Sequence, residues 1–304
     1  MNDPIGFIGL GHLGMHLASS LLRAQVSLVV CDPDEAAVDA LIALGAQRGS
    51  DPASVARECT TIITCLPSPT VINTVVVGPN GLLAGCSPGS TWIDMSTNDR
   101  EETLRLAELC AEHGVRMLEC PVTGGVHKAA EGDITVLVGG DEAAFEQHRH
   151  LLQAMGSPIL YMGELGNAAI IKVITNMLAF IHLVAAGEAL MLAKQGGLDL
   201  GKAFEAIKHS SGNSFVHETE SQVILNGSYD IGFTMDLACK DLGFATQLGE
   251  QFGVPLELGT HVQNIFLRSR LQYGGKAWSS KVVKLLEDSV GTELRAPGFP
   301  ERLQ

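Results

Sequence analysis

The sequence is short of positive charge: 20 Lys and Arg stand against 34 Asp and Glu, a formal net charge of −14 at pH 7. A nucleic-acid backbone is therefore a poor partner, because neutralising phosphates needs a basic face. A small anionic substrate stays open, since a few local cations can hold one inside an acidic protein. Paired cysteines are missing as well. The seven cysteines, at 31, 59, 65, 86, 110, 120 and 239, are odd in number and form no C-x-x-C. Most lie in apolar stretches such as TTIITCLP, where a thiol behaves as a small hydrophobe, and this usage fits a reducing cytoplasm.

Ten histidines fall into no H-E-x-x-H or comparable spacing, so no metal is expected. No basic segment precedes the first apolar run at Ile5, and no signal peptide is expected. The longest apolar stretch, 173–186, is broken by Asn176 and His182 and reads as a buried helix, not a membrane span. Neither an internal repeat nor a low-complexity segment is visible.

What the first half does contain is alternation. The β-branched runs IGFIG, SLVVC, TIITC, TWIDM, VRMLE and ITVLVGG are separated by helical patterns such as EAAVDALIALG and EETLRLAELCAEHG, and a seventh run, PILYM, follows. Strand–helix alternation with apolar strands predicts a doubly wound, mostly parallel sheet, an α/β Rossmann-like domain over 1–163. From Gly166 the character changes to one long helix, about 166–195, stopped by Gly196-Gly197 and spanning roughly 45 Å at 1.5 Å per residue. Helical patterns without strands continue to about 290, which gives an all-α domain over 164–295. Residues 296–304 read as an irregular tail.

The first strand ends in IGLGHLG, a G-x-G-x-x-G of Gly9, Gly11 and Gly14 that opens a helix. There, backbone N–H groups and the helix N-terminus can hold a pyrophosphate, and glycine lets it come close. Alone the pattern is weak. Asp32, at the end of the second strand and 18 residues after Gly14, strengthens it, because an acid there can accept hydrogen bonds from an adenosine ribose. Asp32 also repels a 2′-phosphate, and DPDEAA offers no arginine to counter it. NAD is expected over NADP.

Three further stretches carry candidate chemistry. In ECPVTGGVHKAAEGD, Thr123 with Gly124 and Gly125 forms either a small nest for a carboxylate or a plain turn. Lys172 sits among Ile170, Ile171, Val173 and Ile174, with Asn176 four residues on and so on the same helix face. Burying an ammonium is costly, and desolvation lowers its pKa toward the range of a proton-transferring group; a snorkelling lysine is the alternative. Lys240-Asp241 reads equally as an exposed charged step on an amphipathic helix.

Together these stretches resemble the β-hydroxyacid dehydrogenase family, which includes 3-hydroxyisobutyrate dehydrogenases and semialdehyde reductases. GFIGLGHLGMHLA is similar to its cofactor signature, CPVTGGVHKAAEGDITVLVGG to its substrate signature, GNAAIIKVITNM to its catalytic signature and CKDLGFA to its C-terminal one. The resemblance implies an NAD-dependent oxidoreductase that interconverts a short 3-hydroxy acid and its semialdehyde or oxo acid. Lys172 would be the acid/base, Asn176 would orient the substrate, and Thr123, Gly124 and Gly125 would bind its carboxylate. Gly9, Gly11, His12, Leu13, Gly14, Asp32, Leu66, Pro67 and Thr97 would line the cofactor site, with Lys240 closing over it.

The family also implies a 6-phosphogluconate dehydrogenase-like C-terminal domain and a homodimer or homotetramer. This sequence departs from the family at Thr123, usually serine, and at His12-Leu13, usually a small residue and methionine. His127-Lys128 also differ, and Lys128 is either a second contact for a dianionic substrate or a solvated lysine. The alternatives in function are a reductase of a small aldehyde acid, of succinic semialdehyde or glyoxylate type, and a non-catalytic nicotinamide-binding protein.

Overall fold

In the computed structural model, which describes residues 3–303, the apolar runs of the first half become strands that serve two cores at once. β1 (Ile5–Ile8), β2 (Leu28–Cys31), β3 (Gln47–Arg48), β4 (Thr61–Thr64), β5 (Thr91–Asp94) and β6 (Arg116–Glu119) all pair in parallel. Phe7, Val30, Ile63, Ile93 and Leu118 enter one apolar cluster, and their chain neighbours Ile8, Val29, Ile62, Trp92 and Met117 enter another. That is the two-residue period of strands covered on both faces.

Helices α1 (Gly14–Arg23), α2 (Glu35–Ile42), α3 (Pro52–Glu58), α4 (Pro69–Val77) and α5 (Arg100–Glu112) connect these strands. Most of their starts are set locally. Asp34, Asp51, Ser68 and Asp99 each accept a backbone N–H at the N-cap, and prolines open α3 and α4. After β6 the chain reverses: β7 (Val122–Thr123) and α6 (Val126–Glu131) lead into β8 (Ile134–Gly140), antiparallel to both β6 and β7. Past α7 (Glu142–Met155), β9 (Gly156–Tyr161) returns parallel to β8. The sheet order is β3-β2-β1-β4-β5-β6-β8-β7, with β9 beside β8. The mostly parallel, doubly wound sheet is thus present, with two short strands, β3 and β7, beyond those expected.

α8 (Asn167–Gln195) follows the long apolar pattern almost to the residue. The chain divides inside it into two compact units, one ending at Lys172 and the other beginning at Val173. The second unit is helical: α9 (Leu200–Lys208), α10 (Phe215–Asn226), α11 (Met235–Phe252), α12 (Glu257–Tyr273) and α13 (Lys284–Val290). By length and composition α8 could cross a membrane, but Phe180, Leu183, Leu190 and Met191 are buried in the core of the second unit with Phe204, Leu242 and Phe266. Among the described residues the tail forms no helix and only one isolated bridge, yet it is fastened. Phe299 packs edge-on against Phe204 at 5.0 Å between ring centres, and Arg302 pairs with Asp230 at 2.6 Å.

Candidate active site

The three glycines of the first loop do three different things. Gly9 has φ +95°, and a Cβ there would lie 2.3 Å from the Cys65 carbonyl oxygen and 2.9 Å from the Leu66 side chain. It makes the tight turn out of β1 and lets the loop after β4 come against it. At Gly14 a Cβ would lie 2.0 Å from the Gly9 oxygen, so this glycine allows α1 to start hard against the strand end. Nothing lies within 4 Å of a Cβ at Gly11, which is exposed with His12 while Leu13 is half-buried. The first glycine serves the turn, the second leaves open access to the backbone and the third serves packing, as a dinucleotide loop requires.

The start of α1 agrees with an anion there. Leu13 at its N-cap provides no side-chain acceptor, and its first turn holds no acid, so the positive helix end is left for a ligand. Asp32 directly follows β2 and ties the loop down: its carboxylate accepts the Leu10 N–H at 2.6 Å and the Asp34 N–H at 2.8 Å. These residues fit a nicotinamide dinucleotide.

Leu66-Pro67 and Thr97 are held together by groups that sequence reasoning missed. Buried Asp94, the last residue of β5, accepts hydrogen bonds from Thr64 Oγ1 at 2.8 Å and from Ser96 Oγ at 2.5 Å. Ser96 Oγ in turn accepts the Leu66 N–H at 2.8 Å, and Trp92 Nε1 donates to Thr64 at 2.9 Å. One carboxylate therefore fixes the loops after β4 and β5. The only trace in sequence is an acid closing the apolar run TWID, followed by Met95-Ser96.

Thr123 ends β7 opposite Thr135, half-buried, and Gly124 and Gly125 follow with φ +128° and +91°. No side chain other than glycine adopts both of these readily. Lys128, on α6, turns back to Asp133 at 2.7 Å and Glu131 at 3.9 Å. Its charge is answered within its own segment, which favours the plainer of its two readings.

Lys172 lies in the second turn of α8 and is only 7 % exposed. The start of that helix is anchored from the sheet. Glu119, at the end of β6, accepts the Ala168 N–H with Oε1 and the Ala169 N–H with Oε2, both at 3.0 Å. Burial pushes the Glu119 carboxyl up to about 7, although these amides and that of Gly166 act the other way; nearby Asp94 adds a smaller upward push. This residue, too, was missed.

Asn176, one turn beyond Lys172, donates from Nδ2 to Asp241 Oδ2 at 2.6 Å. Asp241 is 1 % exposed, and its other oxygen is 2.8 Å from Lys240 Nζ, which also lies 4.8 Å from the centre of the Phe244 ring. The exposed charged step is therefore not what forms: α11 turns the acid inward and leaves the lysine partly covered. The second unit thus brings Asn176 and Lys240 together through a carboxylate, while the first brings together Gly9, Leu66 and, through Ser96, Thr97.

The fold and these loops define a dinucleotide-binding α/β domain followed by a helical domain that shares α8 with it. Residues 4–163 match the family model of the NAD binding domain of 6-phosphogluconate dehydrogenase, and 166–286 match that for the NAD-binding of NADP-dependent 3-hydroxyisobutyrate dehydrogenase. Among curated relatives, 2-(hydroxymethyl)glutarate dehydrogenase of Eubacterium barkeri is 35% identical over 95% of this chain and 97% of its own. The mitochondrial 3-hydroxyisobutyrate dehydrogenase of Mus musculus is 33% identical over 94% and 88%. The solved structure of 3-hydroxyisobutyrate dehydrogenase from Salmonella typhimurium superposes with a TM-score of 0.87 at 29% identity, covering 93% of this chain and 100% of that one. The chain belongs to the β-hydroxyacid dehydrogenase family and is a nicotinamide-dependent oxidoreductase of the hydroxyacid dehydrogenase class.

Proposed function

We propose that this chain oxidises a short 3-hydroxy acid to its semialdehyde or oxo acid, reversibly, with NAD and with Lys172 as the proton-transferring group. The observation that carries the reading is Lys172 itself, an amine buried to 7 % exposure one turn from Asn176. Burying an ammonium is costly unless it has a partner or a task, and the family resemblance supplies the task. Bound NAD supplies the hydride acceptor. Lys172 Nζ takes the proton of the substrate hydroxyl as hydride leaves the carbon that bears that hydroxyl, and gives it back in the reverse direction. Asn176, held by Asp241, orients the substrate oxygen, and Thr123 with the Gly124 and Gly125 amides receives the carboxylate. The aldehyde-acid reductase is the same chemistry run backward, since both directions share one transition state.

NAD is preferred over NADP because an acid at position 32 would repel a 2′-phosphate, and two backbone amides hold its carboxylate. Arg48, on the neighbouring strand, is already paired with Glu35 and Asp39. Seven cysteines without a disulfide support a cytoplasmic setting. Exposed Ile174, Leu178 and Leu192 on α8 support assembly as a homodimer or homotetramer.

NADH formation at 340 nm, measured with NAD and NADP on a panel of short 3-hydroxy acids, tests the reading. Turnover with NAD is expected, and Lys172→Ala lowers kcat by orders of magnitude while NADH affinity stays within about twofold. Equal turnover in the variant sinks the assignment of Lys172.

A further inference from the structure

Resting on the reading of Lys172 above, we propose that Glu119 is a positioning residue of the reaction: its ionised carboxylate holds the first turn of α8, and so the placement of Lys172. Three observations carry this. The carboxylate is bidentate on consecutive amides, Ala168 and Ala169, at 3.0 Å each. In an α-helix the Lys172 N–H bonds the carbonyl four residues back, that of Ala168, so the clamped turn is the one that carries the lysine. From β6 the chain runs on through Cys120-Pro121 into β7 and Thr123, both strands along β8, so one side chain links the Thr123 segment to the lysine.

The second line is what the sequence could have used instead. A serine or asparagine before α8 would meet the free amides without burying a charge. The position holds Gly166, and the charge comes from a strand residue that is 3 % exposed. Room is kept for it: a Cβ on Gly139, its partner on β8, would lie 2.3 Å from Oε1. Facing the carboxylate are Asp94 in register on β5, the Cys120 thiol next to it and the amides of the α8 start, with Arg100 of α5 against Gly166. Burial, with a smaller push from the neighbouring acid, brings ionisation of Glu119 up to about 7. Once protonated, the group keeps one good acceptor for two N–H donors.

The test compares wild type, Glu119→Gln and Glu119→Asp with saturating NAD and a 3-hydroxy acid. Expected for Glu119→Gln are a kcat at least tenfold lower near pH 8, unchanged NADH affinity, and loss of a rate limb near pH 7 that Glu119→Asp keeps. Thermal stability gives a readout besides turnover. A carboxyl whose folded pKa is raised stabilises most below its unfolded value, and that share is lost as pH rises through about 7. The Tm of Glu119→Gln relative to wild type therefore climbs between pH 4.5 and 7 while its kcat stays low. Wild-type turnover matched by Glu119→Gln, or a fall with an unchanged pH profile, overturns the proposal. A wild type inactive on every hydroxy acid overturns the reading of Lys172 and this proposal together.

Discussion

The same substitution at two glycines of the first loop should separate folding from cofactor binding. At Gly14 an added methyl would meet the Gly9 carbonyl oxygen at 2.0 Å, more than 1 Å inside contact. Loop and helix must part, and overpacking of that kind costs roughly 1–3 kcal/mol. For a unit of this size each kcal/mol lowers Tm by about 2–4 °C. Gly14→Ala should therefore lose stability and dinucleotide binding together. Gly11 offers the contrast: nothing lies within 4 Å of its added methyl, and its φ is outside the left-handed region. Gly11→Ala should fold as well as wild type, or be up to about 1 kcal/mol more stable through a less free unfolded chain. Its methyl would occupy the approach to the backbone, so NADH affinity should fall at least tenfold, about 1.4 kcal/mol. Differential scanning fluorimetry and NADH fluorescence titration read the two effects. Wild-type affinity in Gly11→Ala would falsify the placement of the pyrophosphate over this loop.

Two other carboxylates are predicted to behave differently from each other. Asp32→Ser should raise the NADP/NAD ratio of kcat/KM at least tenfold while weakening NAD, because repulsion goes and the Leu10 amide loses its charged acceptor; an unchanged ratio removes Asp32 from cofactor choice. Asp241→Ala should lower kcat and destabilise the C-terminal unit by about 2–4 kcal/mol, toward the lower end for breaking a buried pair because Lys240 keeps some water. Urea unfolding and steady-state rates check this, and a variant unchanged in both would sink the role of Asp241 in holding Asn176.

How much of this could be read from the chain depends on whether the signal was periodic. Runs such as TIIT and LVVC were legible because both faces are buried, and α8 because its apolar pattern is long and ends in two glycines. β3 and β7 have two residues each, too few for any period. Their places come from neighbours, β7 from the turn at Gly124-Gly125. The glycine loop was legible as a local pattern. The roles of Asp94, Glu119 and Asp241 were not, since each also holds a group far along the chain, 30, 49 and 65 residues away. A sharper reading would have asked why TWID and RMLE both end their buried runs on an acid.

The unpaired cysteines, read above only as a mark of compartment, also make the molecule its own reporter. Burial pushes the thiols of Cys59, Cys65 and Cys110 up to about 12, and those of Cys31 and Cys86 up to about 11. Only a thiolate attacks an alkylating reagent. At pH 8 the folded chain therefore holds back reactions that an unfolded segment, with a thiol near 8.5, allows at once. Six of these thiols lie before Lys172 and one, Cys239, after Val173. Mass spectrometry of labelled peptides thus times the opening of each unit separately, with no residue changed.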